Sequence, residues 1–133
     1  MVFKFSKKVY GFECDVYGHL NNANYLMIYE SARAEALNDM DMPIAKLKDL
    51  GHMIYLVKVE IEYVKAIQLE EIVAVHTKIK QHNRLTTTWQ QEIFNPQGEL
   101  CNSALVTGVY ISNGKPTRIS KELCEYFDKF VEA

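Results

Sequence analysis

The segment Glu13-Cys-Asp-Val-Tyr-Gly-His-Leu-Asn-Asn-Ala-Asn-Tyr25 gathers two acids, a histidine, a glycine and three asparagines within about a dozen positions, more than a simple connection needs. It offers three parts of an acyl-transfer site. Asp15 is a carboxylate able to act as base or nucleophile. The unpaired N–H groups where a helix begins, near Asn22 and Ala23, can hold an oxyanion. Gly18 lets the backbone turn and come close to a ligand. Each residue also has a plainer use: Asp15 as the cap of a turn, Asn21 or Asn22 as a helix N-cap, His19 as a hydrogen-bonded loop histidine. Spacing alone leaves both uses open.

The elements around this segment must position it. Before it, Phe3 to Phe12 carries Phe3, Phe5, Val9 and Gly11 on one parity and predicts a strand. From Asn22 onward Tyr25, Ile28, Tyr29, Ala32, Ala36 and Met40 recur at three and four residues, the apolar stripe of a helix that ends by Pro43. After Gly51 the period becomes two. Val57, Val59, Ile61 and Tyr63 form one run, Val73, Val75, Thr77 and Ile79 a second, Leu85 to Phe94 a third, and Leu105, Thr107, Val109 and Ile111 a fourth. Turns are expected at His82-Asn83, Asn95 to Gly98 and Asn113 to Pro116. Thr86-Thr87-Thr88 reads as an edge or half-exposed strand, and Tyr55, Leu56 and Val57 read as core, with an acyl tunnel as the alternative. Ser120 is a capping candidate for a final helix carrying Leu123, Phe127 and Val131. The order is strand, long helix, four strands, short helix: an α+β domain in which one helix lies against an antiparallel sheet of about five strands.

Composition sets the outer limits. A chain of 133 residues and 15.4 kDa fits one domain, residues 1–133, with one ordinary core. Fifteen basic and 17 acidic residues leave a formal charge of −2, without the broad positive field that nucleic-acid binding needs. Cys14, Cys101 and Cys124 form no C-x-x-C pair and are expected as free thiols in a reducing cytoplasm. His52 and His76 are expected as structural histidines, no metal is expected, and no run is long enough for a signal peptide or a membrane span. A cytoplasmic location follows as the expectation.

Asp15, Gly18, His19, Asn21, Asn22 and Tyr25 stand in the pattern Asp-x-x-Gly-His-x-Asn-Asn-x-x-Tyr, followed by Tyr29-Glu30-Ser-Ala-Arg33. This pattern resembles the signature of hotdog-fold thioesterases, in particular the 4-hydroxybenzoyl-CoA thioesterase-like and acyl-ACP thioesterase-like groups. Gly114 to Ile119 resembles the family's segment after the last strand, and the element order matches a hotdog domain, in which a curved sheet wraps a long central helix. The resemblance implies an acyl-CoA thioesterase, or alternatively an acyl-ACP thioesterase or a non-catalytic acyl-binding module, working without a cofactor. It implies that Asp15 is the catalytic carboxylate and that the amide near Asn22 is the oxyanion donor. His19 and Asn21 match positions that shape or polarise the site in the acyl-ACP branch. Where that branch has an Asn two residues after the Asp this chain has Tyr17, and where several bacterial acyl-CoA thioesterases have a His seven residues after it this chain has Asn22. The resemblance also implies a homodimer joined sheet edge to sheet edge, or a homotetramer of such dimers.

CoA carries several phosphate charges, so its site needs local cations. Lys58, Lys65, His82, Arg84, Lys115 and Arg118 are candidates, with Arg84 at a hairpin end and Arg118 after the last strand preferred. Gly18, Asn21 and Tyr25 complete the expected substrate contacts around the catalytic set Asp15, His19 and Asn22, with Tyr25 also a candidate core residue.

Overall fold

The computed structural model describes residues 1–131. Strand β1 (Phe3–Lys8) leads through a 3-10 turn (Gly11–Glu13) into helix α1 (Asn24–Asp39), a short helix α2 (Ile44–Asp49), the long strands β2 (Met53–Tyr63), β3 (Ile72–His82), β4 (Thr86–Phe94) and β5 (Leu100–Ser112), a two-residue strand β6 (Lys115–Pro116) and helix α3 (Lys121–Asp128). The sheet runs β1-β3-β4-β5-β2, every pair antiparallel, and β6 folds back on β5. The arrangement is the α+β hotdog architecture expected from the sequence.

The predicted stripe of α1 is the one the fold buries: Tyr25, Ile28, Tyr29, Ala32, Ala36 and Met40 all lie in the core. The helix rests on the inner face of the sheet, where polar groups lock it in place. Tyr29 Oη donates to Asn102 Oδ1 at 2.6 Å, and Gln91 Nε2 donates to both the Tyr29 carbonyl and Thr77 Oγ1 at 3.0 Å. Arg33 then closes on Gln91 Oε1 at 2.9 Å. Burying Gln91 completely would be costly without these bonds, and all of its polar groups find partners. Ser120 caps α3 as expected, its Oγ accepting from the Leu123 amide at 3.1 Å.

Several expectations are corrected. The first strand ends at Lys8 rather than Phe12, because the chain turns to place Glu13. Helix α1 begins at Asn24, two residues later than expected, since Asn22 and Ala23 form a turn held by Asn21. In β5 the continuous buried parity is that of Asn102, Ala104, Val106 and Tyr110; of the expected run Leu105, Thr107 and Val109 lie on the other, partly covered side, and only Ile111 is buried. Both faces are apolar in sequence, and the face with small residues is the one the packing selects. The Thr86–Thr88 strand lies in the middle of the sheet, with Thr87 buried and donating to Tyr110 Oη at 2.9 Å. Conversely β2, read as core, is the edge: Tyr55, Leu56 and Val57 are exposed, Val57 by 63%. Helix α2 and strand β6 are too short to leave a periodic signal.

Gly108 on the inner face shows how tight the β2–β5 seam is. A Cβ there would stand 2.5 Å from Ile54 Cγ2, an atom fixed to a β-branched carbon that cannot swing aside. Gly108→Ala is therefore expected to destabilise the fold by about 1–3 kcal/mol, read as a lower urea midpoint at unchanged slope.

Candidate active site

The chemistry-bearing segment is held at both ends. The Glu13 carboxylate is buried, where it accepts from Lys7 Nζ at 2.7 Å and from the Tyr10 amide at 3.0 Å. The Glu13 carbonyl in turn accepts from the Asn21 amide at 2.9 Å and from Asn24 Nδ2 at 2.8 Å. Leu20 N–H donates to the Ile67 carbonyl and Leu69 N–H to the Gly18 carbonyl, which fastens the loop to the chain entering β3. Between these anchors Asp15 and His19 close a tight turn. Asp15 N–H donates to the His19 carbonyl at 2.9 Å, and Gly18 adopts φ 76°, a conformation that favours glycine.

Asp15 is half-buried, and its Oδ1 accepts from the amides of Tyr17 at 2.9 Å and His19 at 3.3 Å. The plainer use as a turn cap is thus real, and it also fixes where the carboxylate points. Asn21 likewise caps the turn before α1 by accepting from Ala23 N–H at 3.0 Å. The Asn22 carbonyl accepts from Tyr63 Oη at 3.1 Å, while among the described residues the Asn22 amide has no partner. Asp15, His19, Asn22, Tyr25, Tyr63 and Lys65 line one open recess of about 290 Å³. Tyr25 is buried and meets the Tyr63 ring edge-on at 5.1 Å. Burial, followed by neighbouring Cys101 and Tyr63, pushes its phenol up to about 12, so it stays a neutral donor near pH 7.

The expected cations are distributed differently. Lys65 lies at the recess, paired with Glu99 at 2.7 Å. Arg84 donates from Nε to the Ile119 carbonyl at 2.8 Å, beyond the end of β3. The loop beside the recess is tied at Leu69 to the chain entering β3, and that strand of 11 residues, about 33 Å long when extended, separates this end from Arg84. Arg118 is exposed beside Arg84's partner Ile119, at the same far end. The His82 ring is fully buried, unsuited to meeting phosphate.

A second cavity, about 310 Å³ and mostly apolar, lies between α1, α2 and the start of β2, lined by Leu37, Ile44, Leu47, Ile54, Leu56 and Trp89, with Glu30, Arg33, Lys48 and His52 as its polar members. It does not include Asp15. It opens near Met53, whereas the Asp15 recess opens near Tyr63, at the other end of β2. Sequence reasoning passed over Glu13 and Tyr63, whose roles lie in contacts to the loop backbone. The cavity is lined by Tyr55 and Leu56, for which an acyl tunnel was the alternative reading, and its wall also includes the unpredicted helix α2.

Comparison with known proteins places this arrangement in a class. The model of the thioesterase-like superfamily matches residues 12–127. The chain belongs to that superfamily, and its class is thioester hydrolase. It is 28% identical over 125 residues to a putative esterase of Aquifex aeolicus, covering 94% of this chain and 97% of that one. It is 29% identical over 128 residues to the long-chain acyl-CoA thioesterase FadM of Escherichia coli, covering 94% and 96%. Among solved structures, a DHNA-CoA thioesterase from Staphylococcus aureus shares the fold with a TM-score of 0.90, at 24% identity over 96% of this chain and 89% of that one. Among the described residues no helix is long and apolar enough to cross a membrane.

Proposed function

We propose that the chain hydrolyses acyl-CoA thioesters, with Asp15 as base or nucleophile and the Asn22 amide as oxyanion donor. The observation that carries this reading is that Asp15, whose carboxylate is held by two backbone amides, and Asn22, whose N–H has no partner among the described residues, line the same recess. In the base route Asp15 takes a proton from water as its oxygen attacks the thioester carbonyl. The Asn22 N–H holds the resulting oxyanion. Collapse breaks the C–S bond, and Asp15 returns the proton to the leaving CoA thiolate, giving acid and free thiol. His19 and Lys65 stand at the recess as polar neighbours of the incoming thioester. The acyl-CoA thioesterase names among the relatives support CoA as the carrier.

The working unit is a homodimer paired through β2. Among the described residues the outer edge of β2 is unpaired, the strand exposes the apolar run Tyr55, Leu56 and Val57 ahead of the charged Lys58, Glu60 and Glu62, and the α1 residues Leu26 and Met27 beside the recess are exposed as well. Antiparallel pairing of two β2 strands sets the Tyr63 end of one copy against the Met53 end of the other. The Asp15 recess of each chain then adjoins the apolar cavity of its partner, giving the thioester a carboxylate on one side and the acyl chain an apolar slot on the other. The same operation moves the Arg84–Arg118 end of the partner toward the recess, where cations suit CoA phosphates.

A panel of acyl-CoAs of graded chain length, run beside the same acyl groups on acyl carrier protein, tests the substrate class by thiol release. Turnover with acyl-CoA is expected, with a chain-length optimum set by a cavity of about 310 Å³. Turnover confined to the carrier-protein substrates would assign the other carrier, and binding without turnover would leave a non-catalytic module.

A further inference from the structure

Away from the recess, α3 closes over the far end of the sheet and brings three metal-ligating side chains together. His82 ends β3, while Cys124 and Asp128 stand four residues apart on α3, one helical turn. Cys124 Sγ lies 3.7 Å from His82 Nδ1 and 3.9 Å from Asp128 Oδ2, and Nδ1 lies 3.2 Å from Asp128 Oδ1. All three donor atoms fall within 4.8 Å of one another. The arrangement is not that of a thiol–imidazole–carboxylate triad. There the two ring nitrogens would face different partners, whereas here thiol and carboxylate both face Nδ1 and Nε2 is held by Tyr110 Oη at 2.6 Å.

We propose that His82 Nδ1, Cys124 Sγ and Asp128 form a zinc site that ties α3 to the end of β3. Tetrahedral zinc, with bonds of about 2.3 Å to sulfur and about 2.0 Å to nitrogen or oxygen, separates its donors by about 3.3–3.6 Å. The thiol–imidazole separation of 3.7 Å and the imidazole–carboxylate separation of 3.2 Å differ from that range by a few tenths of an ångström; the thiol meets the other carboxylate oxygen, so with one donor atom per residue the group spans up to 4.8 Å and a rotation of the half-exposed Asp128 carboxylate closes it on the ion. A thiolate and a carboxylate together balance the two positive charges of the ion, and a thiolate–imidazole pair favours zinc over magnesium or calcium. The ring is fully buried and Asp128 half exposed, so the ion has a route in and a fourth position open to water. Tyr110 and Thr87 supply the orienting shell. With Nδ1 given to the metal, the ring carries its proton on Nε2 and donates to Tyr110 Oη, which also accepts from Thr87 Oγ1. Cys124 loses its proton to solvent on binding. Without a cation, burial and the Asp128 carboxylate push that thiol up, and a dication between the two groups reverses the carboxylate's effect.

Cobalt titration of the untagged full chain tests the site. One Co²⁺ per chain is expected, with a sulfur-to-metal charge-transfer band and tetrahedral visible bands, all bleached by Zn²⁺. Cys124→Ser should abolish the charge-transfer band, while Cys14→Ser and Cys101→Ser retain it. Tyr110→Phe should weaken affinity by about 10- to 100-fold with the band unchanged in shape. Asp128→Ala, at a half-exposed helix end, keeps the test decisive should Cys124→Ser disturb folding, and should weaken binding in a chain of wild-type circular dichroism. Absence of the band in the wild type, its persistence in Cys124→Ser, or unchanged affinity in Asp128→Ala would overturn the site.

Discussion

Asp15→Asn is expected to lower acyl-CoA turnover by about 10²–10⁴-fold while leaving the thermal midpoint near that of the wild type. The two halves of this expectation rest on different atoms of one side chain. Stability rests on Oδ1, which accepts the Tyr17 and His19 amides and so holds the turn. An asparagine keeps that oxygen and those bonds. Activity rests on the negative charge, which a neutral amide lacks: it neither takes a proton from water nor attacks a thioester carbonyl. The loss should fall on kcat, because the CoA and acyl contacts remain. Asp15→Ala separates the roles. It removes the acceptor as well, so it should lose activity to a similar extent and about 1 kcal/mol of stability besides. Steady-state thiol release and a thermal melt of both variants make the comparison. Wild-type turnover in Asp15→Asn would remove Asp15 from the chemistry and leave it as a turn cap.

The legibility of this protein in its sequence follows from the range of the signal. The α1 stripe is periodic over four turns and one face of it is buried, so its residues could be read individually. The Asp15–Tyr25 loop was legible because its chemistry is contiguous. The register of β5 was not, because both of its faces are apolar and the tight approach of β2's Ile54 to Gly108 is seen only in the fold. The edge position of β2 was hidden for a related reason: Val57 and Val59 look the same in sequence whether the strand is central or, as here, at the edge. The His82–Cys124–Asp128 cluster joins residues more than 40 positions apart, with only the helical pair Cys124 and Asp128 near in sequence. Arg84 and Arg118 had the right chemistry for phosphate, but only the strand order shows that they lie at the far end of β3 from Asp15.

If the proposed β2-paired dimer is the working unit, Val57→Lys is expected to leave a folded monomer and to lower turnover by about 100-fold. Val57 sits where the β2–β5 register skips between Leu56 and Lys58, and it is 63% exposed. A lysine there disturbs little within one chain, so the monomer should keep its stability within about 0.5 kcal/mol. Across a two-fold axis the substitution enters twice, close to the middle of β2, beside the existing Lys58. Two added cations then face each other along an edge that would otherwise pair, which is the device natural sheets use to keep edges apart. The loss of activity follows from the separation of the two cavities along β2: without the second copy, the Asp15 recess has no apolar slot adjoining it, and the thioester is no longer held against the carboxylate. Native mass and turnover measured on the same sample distinguish the parts of this argument. A Val57→Lys dimer would place the interface elsewhere than β2, and a Val57→Lys monomer of full activity would show that each chain carries a complete site.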